Sequence, residues 1–270
     1  MQKDCNFIDI VLGDRTFTIE YQWINQLEGK RPLIVFLHEG LGSVAMWKSF
    51  PEELCSQLGA SGLVFSRPGY GQSSERCDDE AWTASFMHHQ AYEVLPELFT
   101  RLDVDRDNAP LFLFGHSDGG SIALLFAAQY ADLIDGLIVM APHLFVEPKS
   151  IDSIEKARQA YLQTNLKQKL ARYHKKPDSA FWGWNDIWLH PEFRNWNIET
   201  EMQSITKPVL AMQGIEDEYG TMRHVHRLGE LLVDCTVVEI PDCGHSPHRD
   251  QPLTVTNETL KFVSRLTSGI

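Results

Sequence analysis

The chain has 270 residues, 43% of them apolar, which suits one large domain with a sizeable core and an inserted subdomain. A formal net charge of -13 speaks against nucleic acid and anionic membranes as partners and for plain solubility. The cysteines Cys5, Cys55, Cys77, Cys235 and Cys243 form an odd set without framework spacing, the pattern of reduced thiols in a cytoplasmic protein.

Residues 1–13 contain Lys3, Asp4 and Asp9 and no long apolar core, so neither a signal peptide nor a membrane span is expected there. The run Leu33-Ile34-Val35-Phe36-Leu37 reads as a buried strand, followed by His38-Glu39-Gly40-Leu41-Gly42-Ser43. A turn, Ser66-Arg67-Pro68-Gly69-Tyr70-Gly71-Gln72-Ser73, comes next. The run 111–114 is a second buried strand, and residues 121–128 form a helix rich in good formers. Between them lies Gly115-His116-Ser117-Asp118-Gly119-Gly120. A turn that tight leaves no room for side chains at 115 and 119, and it exposes Ser117 at a helix N-terminus, where free N–H groups favour developing negative charge. This is the G-x-S-x-G nucleophile-elbow pattern.

A serine hydroxyl needs a base, and the base needs a group to orient it. Residues 207–213 read as a strand, and the loop 214–220 after it carries Asp217. Another strand, 236–240, leads into Pro241-Asp242-Cys243-Gly244-His245-Ser246-Pro247-His248. Loops after parallel strands deliver their side chains to one edge of the sheet, so Ser117, Asp217 and His245 are the expected catalytic set. Asp242 and Glu218 stay open as the acid, and His248, His38 and His116 as the base. Cys243, beside the proposed base, is expected to be sensitive to alkylation. His88-His89, His224-x-His226 and His245-x-x-His248 lack the spacing of a zinc site, so no metal is expected. No phosphate-loop motif is present, and no cofactor is called for.

On these motifs the chain resembles the α/β-hydrolase superfamily over essentially its whole length. The resemblance implies an α/β fold: a mostly parallel central sheet with helices on both faces and an inserted helical cap. The core would span 1–141 and 207–270, and the cap 142–206. The resemblance further implies an oxyanion hole made by the backbone N–H groups of Gly40 and Asp118. Two residues depart from the common family pattern. Glu39 stands where glycine is usual and is expected to point away or pair with a cation, and Asp118 replaces a large apolar residue or Gln.

Four of the seven tryptophans fall in the inserted stretch, at 182, 184, 188 and 196. They serve as the stretch's own small core, as a pocket roof, or as both. Trp182, Trp184 and Trp188, with His38, Glu39 and His116, are the candidate substrate-pocket residues. Residues 153–173 read as helix, and 144–149, with Pro148, as a hinge into the stretch. The expected activity is hydrolysis of a small-molecule ester or thioester through an acyl-enzyme. Carbon–carbon hydrolysis of ring-fission diketones is the alternative, and a non-catalytic small-molecule receptor is the reading from another class.

Overall fold

The computed structural model describes residues 5–26, 31–77, 80–106 and 109–268. Lys3 and Asp4, used above against a leader, lie outside them. The strands are β1 (Asn6–Leu12), β2 (Arg15–Ile24), β3 (Leu33–Leu37), β4 (Ser61–Phe65), β5 (Leu111–His116), β6 (Gly136–Met140), β7 (Val209–Gly214) and β8 (Cys235–Ile240). They form one sheet in the order β1-β2-β4-β3-β5-β6-β7-β8. From β4 to β8 every pairing is parallel, whereas β1 and β2 form a hairpin that joins the sheet antiparallel through β4.

Strands β5, β6 and β7 are buried along their whole length, which is why they read as unbroken apolar runs. Alternation then divides each strand between two cores. Leu113, Leu137 and Ala211 face one side with Ile122, Leu125 and Phe126 of the helix Asp118–Gln129. Phe112, Phe114, Ile138 and Leu210 face the other with Leu54 of the helix Phe50–Leu58 and Phe262 of the helix Pro252–Thr267. Each large apolar side chain contributes about 2 kcal/mol on burial, so a one-residue slip of register would displace many such terms at once.

From β3 the chain first runs outward to β4 and then returns to β5 on the other side of β3. The loops after β3 and β5 therefore diverge and leave a crevice at the strands' carboxyl ends. Among the described residues, no helix is long and apolar enough to cross a membrane.

Between β6 and β7 lie the helices Pro148–Gln163, Leu166–Leu170 and Pro177–Leu189. The helix expected over 153–173 starts earlier, because Pro148 suits a first helical turn, and it stops at Thr164, whose backbone is extended. The expected hinge at 144–149 is laced to the far end of the same segment. Ile198 N–H donates to the Leu144 carbonyl at 2.8 Å, Val146 N–H to that of Trp196 at 3.3 Å, and Phe145 bridges Asn197.

Glu147 ties this crossing to the loop after β7. Its carboxylate accepts from Thr221 N at 2.8 Å, Thr221 Oγ1 at 2.7 Å and His224 Nε2 at 3.1 Å. His224 Nδ1 accepts from Leu144 N at 3.2 Å, which leaves Nε2 to donate to Glu147. Burial works against the charged carboxylate, but these donors outweigh it and hold the group down at about 2. Its contribution to stability is therefore full above the ordinary glutamate value and is lost as pH falls toward 2. Glu147→Ala leaves three donors unpaired, and the expected cost is about 2 kcal/mol, read as a lowered Tm at neutral pH.

Candidate active site

The polypeptide leaves β5 at His116 and enters the helix Asp118–Gln129 with only Ser117 between them. Ser117, at the corner, has φ 53° and ψ -120°, a conformation that a non-glycine residue holds only when its surroundings enforce it. Here Ser117 N–H donates to the Met140 carbonyl at 2.9 Å and the Ser117 carbonyl accepts from Ser121 N at 3.0 Å, so both sides of the corner are pinned. The elbow rests on β3, with the place a Gly119 side chain would occupy filled by the carbonyls of Leu37 and His38.

The loops after β7 and β8 bring Asp217 and His245 to this corner. His245 Nε2 stands 2.9 Å from Ser117 Oγ, and Nδ1 stands 2.9 Å from both carboxylate oxygens of Asp217. A carboxylate can only accept, so Nδ1 carries the proton and Nε2 is left free to accept from the serine hydroxyl. Tyr219 N and Gly220 N donate to Asp217 Oδ1 at 2.8 and 3.1 Å, and Gln213 Nε2 donates to Oδ2 at 3.2 Å. Burial opposes the ionised aspartate, but the His245 ring and these donors outweigh it and hold the carboxyl at about 2. Burial likewise opposes the His245 imidazolium. The charges of Asp217, Glu218 and Glu39 more than offset that, and the ring's pKa lies above the usual histidine value.

The alternatives fall elsewhere. Glu218 Oε2 accepts from the His245 main-chain N–H at 3.1 Å and so holds the backbone of that loop. Asp242 is exposed, with its carbonyl accepting from Gln251 at 3.0 Å. His248 is buried against Trp47, Phe50 and His116. Cys243 is also buried, and burial with nearby carboxylates pushes its thiol up to about 12, which speaks against the expected sensitivity to alkylation.

A cavity of about 110 Å³ opens over Ser117. Glu39, Gly40, Asp118, Trp184, Trp188 and His245 line it, so three of the six candidate pocket residues reach it and three do not. Trp184 and Trp188 are four residues apart on one helix face, and Trp182 faces away, into a separate cleft with Arg76 and Trp82. His38 is fully buried: its Nδ1 donates to the Glu39 carbonyl at 2.7 Å and its Nε2 accepts from Arg67 N at 3.1 Å, which fixes the loop after β3. His116 donates to the His245 carbonyl at 2.6 Å and braces that loop from behind. Larger clefts, of about 320 and 530 Å³, lie along Arg76 and Trp82 and along Lys48 and Arg249, and neither includes Ser117.

Glu39 pairs with Arg249 at 3.4 Å and stands 3.5 Å from His116 Nδ1. Burial opposes its charge, but these partners keep it well below the usual glutamate range. The expected cation is therefore present, although the side chain still borders the cavity. Gly40 lies directly under the Trp184 indole, where a side chain would collide with the ring. Asp118 N–H belongs to the first turn of its helix, which lacks intrahelical acceptors.

His143 was missed by the sequence reading. It is buried at the cavity wall after β6, and its backbone is held through Ser121 Oγ at 2.7 and 2.9 Å. Its position just beyond a parallel strand was the available signal. Arg67, in the turn 66–73, is a second residue without a sequence signal for its role. It is buried, and it donates to the Glu39 carbonyl at 2.9 Å.

Comparisons with known proteins agree with this architecture. The sn-1-specific diacylglycerol lipase ABHD11 of Mus musculus is 23% identical over 270 residues, covering 89% of this chain and 84% of the relative. The monoglyceride lipase of Mus musculus is 26% identical over 238 residues, covering 79% of this chain and 76% of the relative. A thermophilic esterase from Thermogutta terrifontis superposes with a TM-score of 0.71 at 18% identity, covering 97% of this chain and 99% of that one. The model of the Alpha/beta hydrolase family matches residues 34–259, which takes in Ser117, Asp217 and His245, and the chain belongs to that family.

Proposed function

We propose that this hydrolase is a serine esterase or thioesterase acting on a small molecule through an acyl-enzyme. The observation that carries the reading is the unbroken hydrogen-bonded chain from Ser117 Oγ through His245 to Asp217, with each link at 2.9 Å, beside a cavity that reaches Ser117. His245 Nε2 takes the Ser117 proton as Oγ attacks the substrate carbonyl carbon. The backbone N–H groups of Gly40 and Asp118 hold the oxyanion, and Asp217 stabilises the imidazolium. His245 then gives its proton to the departing alcohol or thiol. Water, deprotonated by the same ring, cleaves the acyl-enzyme and regenerates the serine. The helices within 142–206 act as the cap, and the walls they contribute with Trp184, Trp188 and Ile154 suit a short acyl group. The lipase names of the two curated relatives support the same class of reaction.

The test is labelling by a fluorophosphonate probe, with Ser117 identified as the modified residue, followed by a panel of acyl esters, acyl-CoA thioesters and ring-fission diketones. Turnover of the diketones alone would reassign the reaction. Labelling of another residue would remove the mechanism.

The charge around His245 gives a pH prediction. Attack requires the neutral ring, and the folded-state pKa is raised, so kcat/KM climbs as pH rises through a midpoint above about 6.5. Asp217 stays ionised down to about 2 and adds no limb near neutrality. In Asp217→Asn the midpoint is expected to move to lower pH and kcat to fall about 10⁴-fold, because the tautomer is no longer held. A wild-type midpoint below 6.5 would contradict this charge balance.

A further inference from the structure

The carboxyl group of Asp118 has no part in the mechanism above, which uses only its backbone N–H. It is 1% exposed and borders the cavity immediately after the nucleophile. One oxygen, Oδ1, accepts from Trp188 Nε1 at 3.2 Å. The other, Oδ2, is buried without a hydrogen-bond partner. Burial raises this acid to about 6, with the Arg67 charge and the Trp188 bond opposing the rise, so the group is largely ionised at neutral pH. A buried carboxylate oxygen with nothing to accept from is costly, and in folded proteins such groups are rare outside functional sites.

We infer that Asp118 Oδ2 is a specificity group that accepts a hydrogen bond from the substrate, so that the preferred acyl group carries a hydroxyl or ammonium close to its scissile carbonyl. The inference rests on the serine esterase reading of the same site and narrows its substrate class. Three features of the cavity agree. Its volume of about 110 Å³ admits a short acyl chain, and Leu41, Ile154, Trp184 and Trp188 supply apolar walls. The second carboxylate at the wall, Glu39, is ionised beside Arg249, so negative substituents are repelled and hydrogen-bond donors favoured. Asp118 also supplies the proposed oxyanion N–H, so the same residue lines the end of the cavity at which the scissile carbonyl would lie. A site built around a buried acceptor rejects analogues without the donor far more strongly than an apolar pocket rejects a missing methylene, because the acceptor is then left unpaired.

The test compares para-nitrophenyl butanoate with its β-hydroxy and β-amino analogues on the whole protein, after fluorophosphonate labelling has established that Ser117 is reactive. The wild type is expected to favour both substituted esters by roughly 10²-fold or more in kcat/KM. Asp118→Asn keeps an acceptor for Trp188 but turns an amide NH₂ toward the substrate. It is expected to lose the β-amino preference and to keep part of the β-hydroxy preference, since a hydroxyl can also accept. Asp118→Leu is expected to bring both ratios to about one. Each ratio is internal to one variant, so a general loss of rate or of folded protein does not imitate the result. Should neither variant fold, the wild-type ratios decide alone. Equal kcat/KM for the three esters, turnover of none of them by a protein that labels, or unchanged ratios in Asp118→Leu would each overturn the inference and leave the serine mechanism standing. Absence of labelling would sink that mechanism itself, and this inference with it.

Discussion

Ser117→Ala is expected to lower kcat for any ester substrate by about 10⁴-fold or more while leaving the protein folded. In the proposed covalent route everything depends on one oxygen, which the 2.9 Å hydrogen bond to His245 would make nucleophilic. Residual turnover would come from substrate binding and from the N–H groups of Gly40 and Asp118, which the substitution leaves in position. The corner survives because its constraints are main-chain bonds: Ser117 N to Met140 O and Ser121 N to Ser117 O. Alanine at φ 53° is no more strained than serine, so Tm should hold or rise slightly. Ester hydrolysis, fluorophosphonate labelling and thermal unfolding check the three parts of the expectation. A variant hydrolysing at the wild-type rate would refute the assignment of the nucleophile.

Gly119→Ala tests the scaffold rather than the chemistry. A methyl group at 119 would overlap the Leu37 carbonyl oxygen and lie 2.6 Å from that of His38, both main-chain atoms of the strand end that leads to Gly40. A flexible side chain could move aside, but β3 cannot, because it is hydrogen-bonded on one edge to β4 and on the other to β5. The clash therefore falls at or beyond the upper end of the usual overpacking range of about 1–3 kcal/mol, which for a domain of this size lowers Tm by on the order of 10 °C. Activity should fall further than stability alone implies, since relief of the clash separates the elbow from the loop carrying Gly40. Differential scanning calorimetry and ester hydrolysis on the same preparation check this, and a Tm within 2 °C of the wild type would mean that the elbow is not packed on β3 as described.

The legible parts of the chain were those in which one physical rule acts locally. The runs Leu33–Leu37 and Gly136–Met140 are strands with the bounds that their unbroken apolar sequences suggest, because both faces of a central parallel strand are buried. The hairpin of β1 and β2 does not show as an apolar run, and its one local signal is the turn Leu12-Gly13-Asp14-Arg15 between two alternating segments. The helix expected over 153–173 had correct composition but wrong ends, since propensity does not fix where a helix stops. Among the tryptophans, spacing around a helix separates Trp184 and Trp188 from Trp182, but it does not say which face meets Ser117.

Sequence alone determined the serine at a strand-to-helix corner and the order in which Asp217 and His245 follow it, and on these the family resemblance implied the fold class. Those features depend on periodicity, on glycine sterics and on chain order, each of which acts within a few residues or along the chain. Only the tertiary structure decided that Asp217 and not Glu218 meets the imidazole, that His38 and His116 brace loops instead of lining the cavity, and that one oxygen of Asp118 is buried without a partner. These outcomes depend on distances of about 3 Å between side chains remote in sequence, which follow from how the two cores pack and from nothing local.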